Sequence, residues 1–391
     1  MDILFVETKN VFKPHFGAEQ RSNLLLRACC KIAHVDVVLF KQYDIIPNIE
    51  NCKIVYENNI DNNYTKWDSI KTRISFGYEC FGAVNPKMQM IISSLLSAKK
   101  YDYIVVRYVP KAVRYGLMKF ADRLVIDIDD NPMTKLIQQF KSSETLSLKK
   151  KIGRIYQQFK LPFCKKAYTN IVKSIKIPFV SNIEDIAVNE TKCVHLPNVP
   201  FTEPDVDYCD FSATSKRVIW VGLVNYPPNY LGLDHFFKII YPKVLLKIPD
   251  FEVVVVGKYE GYDVSKWQKI QGVSVKGFVE DLEAEYLSAR AAIVPCYSGA
   301  GTNIKVLEAM RMKRPCITSE YGARGYDNYF DNNVDYLVCK DDDSFATSII
   351  DMLENEDKNH TITKNGFKKV SQYFSKEGFY KIVESCLKFQ S

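Results

Sequence analysis

The sequence predicts an α/β fold of two doubly wound domains facing each other across a cleft, and three observations predict it. Short apolar, β-branched runs alternate with helical stretches along the chain, as at Ile3 to Val6, Tyr103 to Val106, Arg217 to Val221 and Phe251 to Val256. This alternation builds parallel sheets through crossover helices. Glycines recur at the strand-to-helix junctions, at Gly17, Gly222, Gly257, Gly277, Gly299 and Gly301. A proline-bounded stretch, Pro197 to Pro200, and the polar run Thr202 to Lys216 split the alternation into two series. The chain's 391 residues are enough for two full cores.

The first series opens with the strand Ile3 to Val6, a loop from Lys13 to Ala18, and a helix from about Glu19 to Ile32. Gly17 and Arg21 face that junction, where backbone and phosphates or sugars can approach each other; a plain turn with a solvated Arg is the simpler alternative. Strands follow at Val35 to Phe40 and Lys53 to Tyr56, then a polar stretch, Glu57 to Ser75, that reads as a long loop or a lid. A helix is expected over Pro86 to Ala98, a strand over Tyr103 to Val106 ending at Arg107, and a short helix over Pro110 to Phe120. The strand Leu124 to Ile128 runs into Asp127-Ile-Asp-Asp-Asn-Pro132. Ligands of doubly wound sheets bind beyond the carboxyl ends of strands, where Arg107, Asp129 and Asp130 fall. The two carboxylates could accept hydrogen bonds from sugar hydroxyls, bind a metal, or cap the next helix.

The second series begins at Arg217 to Val221, passes through Gly222-Leu-Val-Asn-Tyr-Pro-Pro-Asn229, and continues as a long helix to about Leu246. Strands end at Gly257 and Gly277, a helix covers Asp281 to Ala289, and Cys316 to Thr318 is a further strand before Tyr321-Gly-Ala-Arg-Gly325. Helices are expected at about 341–354, 361–374 and 376–389. The centre of this half is Ala291 to Met310: a buried strand, a loop with Gly299 and Gly301, and a helix beginning near Thr302 and Asn303. Glycines let backbone approach a ligand, and a helix start offers N–H groups and a positive dipole end to a phosphate. Lys305 and Glu308, three residues apart, share a helix face. Lys305 can neutralise a diphosphate; Glu308, one sugar ring further in, suits a ribose. A turn, a helix and a surface Lys–Glu pair is the simpler reading of this stretch alone.

Composition narrows the classes. No apolar run reaches the length of a membrane span, and the N-terminus reads as a first strand rather than a signal peptide. The 11 cysteines are scattered without a C-x-x-C pair, which fits a reduced cytoplasmic chain. Five His without ligand-like spacing give no metal site. Net charge is +7, but residues 141–176 hold nine Lys, one Arg and one Glu, so this segment carries +9 and the remainder −2. Leu148, Ile152, Ile155, Tyr156, Phe159 and Phe163 form one helical stripe among these cations. A basic amphipathic helix reads as a contact with an anionic membrane surface or as an ordinary helix with a solvated basic face. No aromatic-interleaved motif points to nucleic acid.

Gly-x-Gly-Thr-Asn-x-Lys-Val-Leu-Glu-Ala-Met, ending at Met310, resembles the donor-site signature of family 4 of the GT-B glycosyltransferases, the glycosyl transferases group 1. Pro197-Asn198, Gly222 with Tyr226-Pro-Pro-Asn229, Gly257, Gly277 and Gly322 to Gly325 fall in the family's order. Arg107 and Asp127-x-Asp-Asp130 look like a pattern of its envelope-sugar transferases. The resemblance implies Rossmann-like domains at 1–200, on the acceptor side, and 201–372, on the donor side, with residues 373–391 a helix crossing back to the first. It implies a nucleotide-sugar donor, UDP- before GDP-linked, a glycan or lipid-linked acceptor, retention of anomeric configuration, and no cofactor or required metal. Such an enzyme works in the cytoplasm, peripheral at the inner membrane face.

Carried over residue by residue, the resemblance makes Lys305, Asp129, Asp130 and Arg107 the catalytic set. It assigns Gly17, Arg21, Gly222, Asn225, Gly299, Gly301, Thr302, Asn303, Lys305 and Glu308 to the donor. The sequence departs from the pattern where the family's first glutamate would stand, at Ala300, and in having no Arg or Lys in residues 222–229. Arg21 or Arg107 is then expected to help neutralise the diphosphate. The alternatives are a non-catalytic nucleotide-sugar binder in an assembly, a nucleotide-sugar epimerase of the same fold, and a NAD-dependent enzyme. The glycine loops argue against the last, because none follows G-x-G-x-x-G after the first strand.

Overall fold

The computed structural model describes residues 1–14, 17–43, 49–61, 63–129, 131–133, 148–184, 193–200, 215–299 and 301–388; of residues 148–152 and 154 only the backbone is described. The chain forms two compact units, Met1–Pro197 with Lys376–Ser391, and Asn198–Ser375.

The first unit is built on a seven-stranded parallel sheet: β1 (Asp2–Glu7), β2 (His34–Leu39), β3 (Cys52–Glu57), β4 (Tyr103–Arg107), β5 (Leu124–Asp129), β6 (Ile177–Val180) and β7 (Val194–His195). Their order across the sheet is β3-β2-β1-β4-β5-β6-β7. Ile3, Leu4, Phe5 and Val6 of β1 are fully buried, as a central strand covered on both faces requires. The chain order reverses between β1 and β4, which leaves a crevice beyond their carboxyl ends. The helix Gly17–Cys30 follows β1. The last helix, Lys376–Lys388, buries Phe379, Val383 and Leu387, spaced four residues apart on one face. It belongs to this unit: Tyr103 Oη donates to Leu387 O at 3.1 Å, and Lys31 Nζ lies 4.3 Å from the Tyr380 ring centroid.

The second unit repeats the plan with β8 (Arg217–Val221), β9 (Glu252–Val256), β10 (Val273–Lys276), β11 (Ala291–Val294), β12 (Cys316–Ser319) and β13 (Leu337–Cys339). Their order is β10-β9-β8-β11-β12-β13, all parallel. The reversal falls between β8 and β11, so the Gly222 loop and the Gly299 loop leave adjacent strands.

Three local outcomes differ from expectation. The polar stretch 57–75 contains a helix, Lys66–Ile74, closed at its start by a reciprocal capping box between Thr65 and Asp68; the two side chains each take a backbone N–H that would otherwise be orphaned. The long helix after Pro227 is interrupted by a π turn, Phe236–Ile240, just before Pro242. A proline cannot donate to the i−4 carbonyl and its ring would strike it, and one wider turn relieves both. The strand β13 was not foreseen at all. Among the described residues no helix is long and apolar enough to cross a membrane.

Candidate functional site

The crevice at the β8/β11 reversal gathers most of the residues expected at the donor. Gly299 and Gly301 take φ of 125° and 69°, conformations open to glycine and strained for other residues. They carry the chain from β11 into the helix Ile304–Arg311, whose N-cap is Asn303. Lys305 and Glu308 occupy its first two turns, both half-buried. Lys305 Nζ donates to Asn229 Oδ1 at 3.1 Å and to Asn303 Oδ1 at 3.4 Å, and lies 5.6 Å from the Trp220 ring centroid. Asn229 is itself fixed, its Nδ2 donating to Leu223 O at 2.7 Å. Gly222 makes room for this lysine: a Cβ there would lie 2.5 Å from Lys305 Cε. Asn225 sits on the same loop with its backbone N–H on Lys258 O at 3.2 Å.

Burial lowers the Lys305 amine below its ordinary value, while Cys296 and Glu308 pull it back up. Burial also raises the Glu308 carboxyl to about 7, against the pull of Lys305. Both groups are therefore poorly stabilised in their charged forms, the state of a site that a charged, hydroxyl-bearing ligand would complete.

The glycine loop is held from one side. Tyr321 Oη donates to Gly299 O, an Arg324 guanidinium N–H donates to Gly301 O, and Tyr326 Oη donates to Asn303 O at 3.1 Å. A trans peptide points its C=O and the following N–H in opposite directions. Fixing the carbonyls of 301 and 303 toward this clamp therefore turns the N–H groups of Thr302 and Ile304 to the other side, where a phosphate at a helix start would sit. Asn198 Nδ2 donates to Thr302 Oγ1 at 2.9 Å and steadies the same residue. Trp220, Asn229, Tyr321, Arg324 and Tyr326 were not foreseen as site residues. The segment 321–325 stood out only for its glycines, and nothing local shows that its larger side chains reach back to residues 299–303.

At the β1/β4 reversal the first unit has the opposite character. Asp127, fully buried, is gripped by Arg21 Nε and Nη2, both at 2.8 Å, and by Arg107 Nε at 2.7 Å. Arg21 also donates to Leu196 O and Pro197 O at 2.9 and 3.1 Å. Arg107, 0% exposed, donates further to Ala18 O, to Ser22 Oγ and to Asp129 Oδ2. Glu7 is buried beside Lys111, and Ser22 Oγ donates to it at 3.0 Å. Burial alone would raise Glu7; Lys111 overrides it and holds the carboxyl down at about 2. Asp127 is likewise held low by Arg21 and Arg107 against its burial.

Arg21 and Arg107 thus have their guanidinium groups engaged inside the first unit. In this structure they hold Asp127 and Asp129 in place. Asp129 is the partly exposed member of the network, at 14%, and ends β5 with φ 56°, while Tyr108 follows β4 with φ 68°. Such backbone is costly for a non-glycine residue and collects at functional sites. Over Gly17 there is open space, with nothing within 4 Å of an added Cβ. Asp130 and Ala300 lie outside the described residues. Among the described residues no three His, Cys, Asp or Glu side chains gather as metal ligands.

Comparison with known proteins places the second unit. Residues 215–355 match the family model described as glycosyl transferases group 1. A relative from Klebsiella pneumoniae, an uncharacterised 44.6 kDa protein in the cps region, is 25% identical over 301 residues, 73% of this chain and 74% of that one. Among solved structures, sucrose-phosphate synthase from Thermosynechococcus elongatus superposes with a TM-score of 0.70 at 15% identity, covering 99% of this chain and 98% of the other. Anabaena Alr3699/HepE, solved in complex with UDP-glucose, gives a TM-score of 0.62 at 14% identity over 100% of both chains. The fold is that of the GT-B glycosyltransferases, and family and fold together support a role in glycosyl transfer.

Proposed function

We propose, for a chain that carries a glycosyl transferases group 1 domain on a GT-B fold, that it moves a sugar from a nucleotide-sugar donor to a glycan or lipid-linked acceptor in the synthesis of envelope polysaccharide. The observation that carries the reading is the half-buried Lys305–Glu308 pair behind the Gly299–Asn303 loop, a cation and a carboxylate spaced for a diphosphate and a ribose. A UDP donor is favoured because the similar Anabaena structure holds UDP-glucose. The envelope setting draws on the relative from the cps region. Residues 141–176 would bring the enzyme to the inner membrane face, where a lipid-linked acceptor resides.

We read the reaction as retaining. The bond from the anomeric carbon to the diphosphate oxygen breaks, and the acceptor hydroxyl oxygen bonds to the same face of that carbon. The hydroxyl proton passes to the departing phosphate oxygen. Lys305 and the Thr302 and Ile304 N–H groups stabilise the charge that grows on the diphosphate, so the protein's own cation and helix start supply what a metal would otherwise provide. Asp129 is the carboxylate at the strand ends of the first unit that could accept hydrogen bonds from acceptor hydroxyls.

A thermal-shift and turnover screen over UDP- and GDP-sugars tests the reading, with wild type beside Lys305→Ala and Glu308→Ala. One donor should stabilise wild type and be slowly hydrolysed, and both variants should lose this. If no nucleotide sugar binds wild type, the donor-site reading fails.

A further inference from the structure

We propose that the first unit docks on the surface of an anionic lipid bilayer through a composite face, made by the helix Lys66–Ile74, Phe76 and residues 155–163 of the helix Leu148–Ser174. This deepens the membrane-face reading of residues 141–176 and is independent of the donor site.

The helix Leu148–Ser174 is 27 residues long, about 40 Å at the α-helical rise, and its later turns are rooted in the core. Cys164, Ala167, Tyr168, Ile171 and Val172 are buried, whereas residues 155–159 are all exposed. The helix Lys66–Ile74 buries none of its residues. It is fastened to its neighbour by polar anchors: Lys160 Nζ donates to Thr72 O and Arg73 O at 2.6 and 2.7 Å, and Tyr156 Oη to Arg73 O at 3.1 Å. These are the last carbonyls of that helix, where a cation is favoured.

With backbone and cation occupied in fastening the two helices, their large apolar side chains are left in water. Trp67 is 71% exposed, Ile74 61%, Ile155 66% and Phe159 62%. Aromatic contacts join the two parts, with Phe76 and Phe159 each against Phe163 at 5.0 and 5.8 Å between ring centroids. Exposed large apolar side chains clustered on neighbouring elements mark an interaction surface.

Charge selects the occupant. Residues 148–176 carry eight Lys, one Arg and no acid, and the shorter helix adds Lys66, Lys71 and Arg73 against Asp68 alone. Apolar and aromatic side chains set among cations, with scarcely any counter-charge, match the acyl boundary and the anionic headgroups of a bilayer. A nucleic acid would use the cations and leave the Ile and Phe side chains in water.

Trp67 is a built-in probe, because the chain's other two tryptophans, Trp220 and Trp267, are buried at 2% and 1% exposure. Full-length protein is mixed with vesicles of phosphatidylcholine alone or of phosphatidylcholine with phosphatidylglycerol. Expected are flotation and a blue shift of Trp67 emission with the anionic vesicles, both weakened by salt, and quenching by brominated acyl chains. Trp67→Phe should remove the shift and keep the flotation. Lys66→Gln with Lys71→Gln, both exposed, should weaken vesicle affinity about 30-fold while nucleotide binding and thermal stability stay at wild-type values. Three results would each overturn the proposal: no flotation with anionic vesicles, equal flotation with neutral ones, or a Trp67 shift that follows protein concentration without lipid, which would make the face an interface between copies.

Discussion

The two units share a strand order around their reversal points, and they treat the resulting crevice in opposite ways. At β1/β4 the protein fills it with its own charges: Asp127 lies between Arg21 and Arg107, Glu7 beside Lys111, and Arg107 reaches Asp129. At β8/β11 it lines the crevice with glycines and holds Lys305 by neutral amides and an indole face, with Glu308 on the same helix. One crevice is filled by the unit's own ion pairs, and the other is the crevice to which the proposed donor is assigned. The fold supplies a concave place for a ligand, and the supply of internal counter-charge decides whether that place is structural or receptive.

The largest effect that would break this contrast is expected in the first unit. Asp127→Ala leaves two buried guanidinium groups without their carboxylate, a loss of about 3–5 kcal/mol. Urea unfolding should show it directly; a near-neutral variant would mean that the first crevice is open after all. Lys305→Ala should do the reverse, with turnover falling roughly 10²–10³-fold and the urea midpoint hardly moving. Arg324→Gln and Tyr326→Phe should free loop carbonyls and let the Thr302 and Ile304 N–H groups wander. Each should raise the donor KM about tenfold, from roughly 1–2 kcal/mol per lost hydrogen bond, with kcat affected less.

Acidity sharpens the comparison at smaller amplitude. Glu7 is held below its ordinary value, at about 2, so its contribution is present above the unfolded value of about 4.5 and lost as pH falls toward 2. Glu308 is raised to about 7, so stability falls as pH climbs from about 4.5 through 7. Glu308→Gln should flatten that alkaline-going loss in ligand-free protein. The same substitution should abolish the tightening of donor binding through about pH 7, because the ionised carboxylate is the form that accepts ribose hydrogen bonds. Titration calorimetry across pH checks both. Gly17→Ala against Gly222→Ala gives the mildest test: the first should fold unchanged, and the second should force Lys305 aside and weaken donor binding.

Much of this was legible because it is local. Runs such as Glu252–Val256 read as strands, and the strand, glycine loop and helix that carry Lys305 and Glu308 lie within one short stretch. The charge network of the first unit was not legible, since Arg21, Arg107 and Asp127 are brought together from 20 to 106 positions apart and a sequence does not show which Arg meets which carboxylate. The same holds for the clamp, where Tyr321, Arg324 and Tyr326 act over some 22 positions. The helix Lys66–Ile74 escaped notice for another reason. Its apolar residues Trp67, Ile70 and Ile74 keep the helical period, but they number only three in a run of polar residues, and the clearest sign of a helix start is the pair Thr65 and Asp68.

The last helix closes the first unit, and that has a bearing on how the protein is made. The second unit is one contiguous segment, Asn198–Ser375, whereas the first joins Met1–Pro197 to Lys376–Ser391 across it, so the second unit needs nothing made after itself. The first unit must wait, with the face that receives Phe379, Val383 and Leu387 uncovered, until residues 376–388 emerge. A nascent chain is therefore expected to expose an apolar strip on the helix Gly17–Cys30 until residues 376–388 have emerged, a natural substrate for a chaperone. A stop codon just before residue 376 would strand the unit in that state for good.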